Sequence, residues 1–189
     1  MKKVIVITGG IASGKSYIMK LMGDFGYPTI NSDDIARDIM KQEDFLNDIR
    51  QILGKESFNL KEEIESNEKL LDIIETMIYP HIDKIRREFI EECHRKNLVP
   101  AIEIPLFFER NISDSLKQYN PVIISVICGK NTQIMRVKNR DKKLSDALLN
   151  IIISRQVNDE NRVARSDFII YNSSRAVAKK QLVNILKSV

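Results

Sequence analysis

The chain has 189 residues, 43% of them hydrophobic and 30% charged, enough apolar material to bury a core without disulfide or metal staples. Thirty Lys and Arg against 26 Asp and Glu leave a net charge of +4, an excess too small to single out a nucleic-acid surface and equally suited to an enzyme for an anionic small molecule. Cys93 and Cys128 stand far apart without Cys-x-x-Cys spacing, and no stretch approaches the roughly 18 apolar residues of a membrane span, so a disulfide framework, a paired-cysteine zinc site and a spanning helix are all excluded.

The N-terminal apolar run Val4-Ile5-Val6-Ile7 stops at Thr8 and glycine, which is too short for the apolar core of a secretion signal. A reducing, cytoplasmic setting is therefore expected. The same run is β-branched throughout and reads as a strand buried on both faces, central in a parallel sheet. After a loop, Ile18, Leu21, Met22 and Phe25 recur at helical spacing and Gly26 stands where a helix would be capped. Thr29-Ile30 is a second short strand, and Asn31-Ser32-Asp33-Asp34 opens a helix through Ile35 and Ile39, with Asn, Ser or Asp available as the cap.

From about Lys41 to Lys96 the chain is highly charged with apolar residues at helical spacing, and Pro80 is expected to end one helix near Ile78 and start another. Val99–Ile104, closed by Pro105, and Val122–Cys128 are further buried strands. A basic, helix-patterned stretch spans Lys130–Arg165, Asp167–Tyr171 is a fifth strand, and Arg175–Lys187 a closing helix. Strands alternating with helices imply a right-handed α/β fold with a parallel sheet.

Gly9-Gly10-Ile11-Ala12-Ser13-Gly14-Lys15-Ser16 fits G-x-x-x-x-G-K-[ST] and lies between a buried strand and an amphipathic helix, the context the motif requires. Glycines let backbone N–H groups converge on phosphate oxygens, Lys15 can reach the β and γ phosphates, and the Ser16 hydroxyl suits Mg²⁺. The chain is thus read as binding a nucleoside triphosphate with Mg²⁺. It lacks the guanine-reading Asn-Lys-x-Asp of a GTPase and is small for a mechanical ATPase, while a small kinase needs only a phosphate loop, an acceptor site and a basic lid.

Asp33 and Asp34 follow the second strand, where the strand ends of a parallel sheet line the ligand crevice. A carboxylate there can orient an acceptor hydroxyl and take its proton, or it can simply cap the following helix. Between residues 130 and 165 nine basic residues (Lys130, Arg136, Lys138, Arg140, Lys142, Lys143, Arg155, Arg162, Arg165) stand against four acidic ones, and Arg136 and Arg140 share a helix face from which both can reach one triphosphate. Tyr79, beside Pro80, could wall an acceptor pocket or belong to the core. His81, His94 and the two cysteines lack ligand spacing and are read as surface or packing residues.

With these motifs in place the chain resembles one family over nearly its whole length, the dephospho-coenzyme A kinases. The similarity is carried by Thr8-Gly-Gly-Ile-Ala-Ser-Gly-Lys-Ser16, Asp33-Asp34-Ile35-Ala36-Arg37, Ile104-Pro-Leu-Phe-Phe-Glu109, Arg136-x-x-x-Arg140-Asp141, Gln156 and Arg165-Ser-Asp-Phe-Ile-Ile-Tyr-Asn172. The resemblance implies a P-loop kinase fold in which a five-stranded parallel sheet is flanked by helices. Residues 1–40, 98–129 and 166–189 would form the nucleotide-binding core, 41–97 a helical acceptor domain and 130–165 a helical lid.

It further implies transfer of the ATP γ-phosphate to the ribose 3′-hydroxyl of dephospho-CoA, with Asp33 as general base and Lys15 and Arg140 stabilising the transferring group. Gly10, Ile11, Ala12, Ser13, Gly14, Lys15, Ser16, Tyr17, Arg136 and Asn172 would hold ATP, Asn172 near the adenine, with Ser16 on Mg²⁺. Asp33, Arg37, Tyr79, Pro105 and Leu106 would meet the acceptor. No nucleic acid or membrane partner is expected, and a monomer is favoured. Four positions depart from the family pattern: Asn31 and Glu103 where aspartates are common, Tyr79 where histidine precedes the proline, and Ser174 in place of glycine. These departures fall mostly on the acceptor side and leave open two alternatives, a kinase for a nucleoside monophosphate or other small molecule and an ATP-binding regulatory module without turnover.

Overall fold

The computed structural model describes residues 3–67, 69–110, 112–142 and 144–189. Lys143, one of the nine basic residues above, lies outside them. The strands are β1 (Val4–Thr8), β2 (Thr29–Asn31), β3 (Ala101–Glu103), β4 (Pro121–Ile127) and β5 (Phe168–Tyr171), in the spatial order β2-β3-β1-β4-β5 with every pairing parallel. Val4, Ile5, Val6 and Ile7 are all fully buried, as expected of a strand covered on both faces. Ile5 and Ile7 point to a layer built from α1 (Lys15–Asp24) and α10 (Arg175–Leu186), and Val4 and Val6 point to the opposite layer with Ile90, Phe107 and Phe108.

Between these elements lie α2 (Ser32–Ile39), α3 (Glu43–Leu53), α4 (Leu60–Ser66), α5 (Lys69–Arg95), the short α6 (Ser113–Leu116), α7 (Lys130–Arg140), α8 (Asp146–Ser154) and α9 (Asp159–Ala164). α1 ends just before Gly26, whose φ of +87° suits the left-handed turn that follows, and Tyr27 N–H returns to the carbonyl of Met22 at 3.0 Å. Strand β3 is shorter than the sequence suggests, because Val99 and Pro100 precede the ladder, although the Pro100 carbonyl still accepts a 2.9 Å bond from Ile5.

The helix break expected at Pro80 does not occur: α5 runs unbroken from Lys69 to Arg95 with Pro80 inside it. The reason is the stripe Leu70, Ile74, Ile78, Ile82, Arg86, Ile90 and Cys93, buried along the whole length. Pro80 and Thr76, whose carbonyl loses its intrahelical donor, both face solvent. An interior proline costs about 3 kcal/mol, whereas burial of each of Ile74, Ile78 and Ile82 contributes about 1.5–3 kcal/mol, so packing outweighs the local defect.

A third apolar cluster joins Ile39, Phe45, Ile49, Ile64, Ile74, Ile78 and Leu148, so α8 packs on the same core as the helices of segment 41–97. Ionic and polar contacts reinforce that docking. Arg155 reaches Asp72 at 2.7 Å and Glu75 at 2.9 Å, Lys61 reaches Asp141 at 2.8 Å, and the Ser145 hydroxyl donates to Glu65 at 2.7 Å.

Candidate active site

Strands β2, β3 and β1 end at the same level, with Asn31 in register with Glu103 and Glu103 in register with Ile7. Everything chemical follows from that edge. The loop leaving β1 has positive φ at Gly9 (147°), Ala12 (53°) and Gly14 (105°), and only glycine fits two of these points. A methyl on Gly9 would drive into the carbonyl oxygen of Val126, and one on Gly14 into the side-chain amide of Asn172. The loop then delivers Lys15 and Ser16 at the N-terminus of α1, where backbone N–H groups and the helix dipole favour an anion.

Partners from distant segments hold the loop. Ile11 N–H donates to Gln156 Oε1 at 2.9 Å, and Asn172 Nδ2 donates to the Ser13 carbonyl at 2.7 Å. Arg136 donates to the carbonyls of Ala12 and Ser13 at 3.2 and 3.3 Å and to that of Asn172 at 3.4 Å. Arg136 therefore braces the phosphate loop, whereas Arg140, one turn further along α7, is exposed and lines the cavity over the loop. The two arginines do not converge on the same place. The buried Asn172 Oδ1 and Ser13 Oγ lack hydrogen-bond partners among the described residues, polar groups kept beside a loop shaped for an anion. Tyr17 turns away from the cavity, its hydroxyl donating to the Arg175 carbonyl at 3.3 Å.

Lys15 is only 8% exposed and its ammonium lies back on the loop, donating to the carbonyls of Gly9 and Gly10 at 3.1 Å each, with Glu103 Oε1 at 4.0 Å. Burial lowers its pKa, opposed by the charges of Glu103 and Asp33. Glu103, almost wholly buried, accepts from Asn31 Nδ2 at 2.9 Å, while its backbone carbonyl accepts from the Ser32 hydroxyl at 2.7 Å. Burial pushes its carboxyl up to about 7, against the pull of Lys15. Two departures from the family pattern thus meet in one hydrogen bond. Glu103 was not among the expected site residues, although the signal was present: it ends a buried strand, the same argument that singled out Asp33.

Asn31 is the cap of α2, its side chain accepting from Asp33 N–H at 2.7 Å. Neither aspartate fills that role. Asp34 turns outward to Arg37 at 2.7 Å, both side chains 60% exposed, so Arg37 lies outside the cavities it was expected to serve. Asp33, whose carboxylate accepts no hydrogen bond among the described residues, lines a cavity of about 370 Å³ with Lys15, Ser16, Glu103 and Arg140. It also lines a second cavity of about 240 Å³ with Tyr79, Pro105 and Leu106. Asp33, Leu71, Glu75, Pro105 and Leu106 belong to both walls, so the two spaces share one rim.

The basic stretch is less free than its charge suggests. Arg155 is paired with α5 as described, Lys138 with Asp146 at 2.9 Å, and Arg162 is fully buried, donating to Glu109 at 2.8 Å. Arg162 is a core residue, because α9 packs beneath the sheet end where Glu109 also accepts from Val157 N–H at 2.9 Å.

A parallel sheet of this strand order, a glycine loop entering a helix with Lys and Ser, and a carboxylate at the shared rim of two cavities define an ATP-dependent phosphotransferase of the P-loop kinase class. The comparisons with known proteins narrow this. The profile of the dephospho-CoA kinases matches residues 3–178, and the chain belongs to that family. It is 30% identical to a dephospho-CoA kinase of Helicobacter pylori, covering 100% of this chain and 98% of that protein, and 29% identical to one of Fusobacterium nucleatum, covering 90% of each. A solved structure of a Thermus thermophilus protein superposes with a TM-score of 0.77 at 21% identity, covering 100% of this chain and 98% of that one, a likeness of fold. Among the described residues no helix is long and apolar enough to cross a membrane.

Proposed function

We propose that the enzyme transfers the γ-phosphate of ATP to the ribose 3′-hydroxyl of dephospho-CoA, giving ADP and CoA. The observation that carries this reading is the position of Asp33, its carboxylate without a hydrogen bond among the described residues and set on the rim common to the phosphate-loop cavity and the second cavity. In that role Asp33 accepts the proton of the 3′-hydroxyl as it attacks, a positioning and proton-accepting task. Lys15 leaves the carbonyls of Gly9 and Gly10 for the β and γ phosphates, exchanging two neutral acceptors for charged ones. Arg140, without an ion pair among the described residues, supplies the second cation from α7. Segment 130–165 serves as the lid and 41–97 as the acceptor domain, and the ion pairs of Arg155 link them.

Mg²⁺ fits the residues present. The Ser16 hydroxyl is exposed in the cavity and makes no hydrogen bond among the described residues, and no described group of three His, Cys, Asp or Glu could cage the ion alone. Ser16 would hold it together with the triphosphate oxygens, and the ion would neutralise charge gathering on the β and γ phosphates.

An ADP-release assay across dephospho-CoA, nucleoside monophosphates and shikimate tests the reading. Turnover is expected with dephospho-CoA. Turnover with a monophosphate alone would transfer the assignment to that class, and ATP binding without turnover on any acceptor would make the chain a regulatory module.

A further inference from the structure

The second cavity is lined by cationic side chains that the reaction described so far does not use. It is walled by the apolar Ile74, Ile78 and Ile82 of α5, and Tyr79, Arg86 and Arg110 line it as well. Arg86 is 3% exposed and is paired with Asp83 one turn earlier. Arg110, half-buried after the Pro105–Glu109 turn, has no carboxylate partner among the described residues, and its guanidinium lies over the Tyr79 ring at 2.9 Å from the centroid. The other cavity-facing arginine that is partly sheltered, Arg155, is neutralised by Asp72 and Glu75.

A guanidinium held flat on an aromatic ring keeps its edge N–H groups free while its face is covered. Placing it in an apolar cavity beside a second arginine costs free energy unless an anion completes the site. Arg110 and Arg86 line the second cavity and are absent from the wall of the phosphate-loop cavity that holds Lys15. The anion that Arg110 awaits therefore belongs to the acceptor rather than to ATP, in the cavity that shares its rim with the phosphate-loop cavity.

We propose that Arg110, stacked on Tyr79 and backed by Arg86, is the specificity determinant that binds the diphosphate of the acceptor. This inference rests on the dephospho-CoA reading, in which the diphosphate hangs from the 5′ carbon of the ribose whose 3′-hydroxyl reacts. The planar fork of arginine matches phosphate oxygens in pairs, which a lysine cannot reproduce. Arg37, on the outer face of α2, takes no part.

The test compares two acceptors with the same ribose hydroxyl, dephospho-CoA and adenosine, the latter lacking the diphosphate. In Arg110→Ala the ratio of kcat/KM for dephospho-CoA to that for adenosine is expected to fall about 10- to 100-fold, the loss of one charge-assisted contact. The change should lie in the KM for dephospho-CoA, with the KM for ATP within about twofold of wild type. Arg110→Lys should recover part of the loss and keep a salt-sensitive KM. Far-UV circular dichroism and the urea midpoint of both variants check that each is folded.

An unchanged KM for dephospho-CoA in a folded Arg110→Ala would overturn the proposal while leaving the kinase reading intact. Equal losses on both acceptors would overturn it as well, assigning Arg110 to packing. If adenosine turns over too slowly to measure, calorimetric affinities of the two acceptors in the presence of ADP give the same ratio. A wild-type enzyme that does not phosphorylate dephospho-CoA would fail at the functional reading itself, and the proposal would fall with it.

Discussion

Asp33 is available for chemistry because Asn31 caps the helix in its place. The Asn31 side chain does two jobs at once, accepting from Asp33 N–H through its oxygen and donating to Glu103 through its nitrogen. The Asp33 carboxylate is left without a hydrogen bond among the described residues. Asp33→Asn is expected to leave ATP affinity within about twofold of wild type while lowering kcat by two or more orders of magnitude, about the contribution of a general base. Near-normal turnover would reduce Asp33 to a first-turn residue of α2. Lys15 and Gly14 were legible in the string alone, since the loop motif and its flanking strand and helix are local. Glu103 carries the same strand-end signal as Asp33, but its pairing with Asn31, 72 positions away in the chain, is visible only in the tertiary structure.

At the scale of elements, α5 shows why a local rule gave way. Pro80 reads as a boundary, and the helix passes through it because a stripe of buried side chains on both sides anchors one continuous cylinder. Pro80→Ala restores the N–H donor to the Thr76 carbonyl on the solvent face. The variant should be more stable by about 1–3 kcal/mol, read as a higher urea midpoint, and an unchanged midpoint would show that the proline carries no such penalty here. α7 makes a complementary point. Arg136 and Arg140 share a helix face, as their spacing requires, yet the loop backbone takes up the first and the cavity receives the second. Helical periodicity says which residues are neighbours on a face and nothing about what stands opposite.

At the scale of the molecule, the parallel order of β2, β3 and β1 gathers buried charge at one sheet edge, and stability should record it. The Glu103 carboxyl is raised by burial from 4.5 to about 7. Between those values the native state keeps a proton that the unfolded chain has lost, so this group's contribution to stability falls as pH rises through that window and levels off above about 7. The full effect is on the order of 3 kcal/mol. Urea denaturation at pH 5 and pH 7.5 should therefore show Glu103→Gln gaining on the wild type at the higher pH. A difference between the two proteins that does not change with pH would contradict this origin.

The sequence by itself determined the fold class, the phosphate loop and the placement of Asp33 after a strand at the crevice, because each is written within a few consecutive residues: an apolar run, a glycine spacing, an acid after a strand. It also carried the family, through motifs of the same local kind. Only the tertiary structure decided which of the described basic residues of segment 130–165 are tied up, since Arg155 and Arg162 find their carboxylates on other elements. Tertiary packing likewise carried α5 through Pro80, joined Asn31 to Glu103, sent Arg37 outward and laid Arg110 over Tyr79. The physical reason is common to all of these. Burial, ion pairing and ring stacking depend on what another segment brings within a few ångströms, and that information is absent from any window of sequence short enough to be read as a motif.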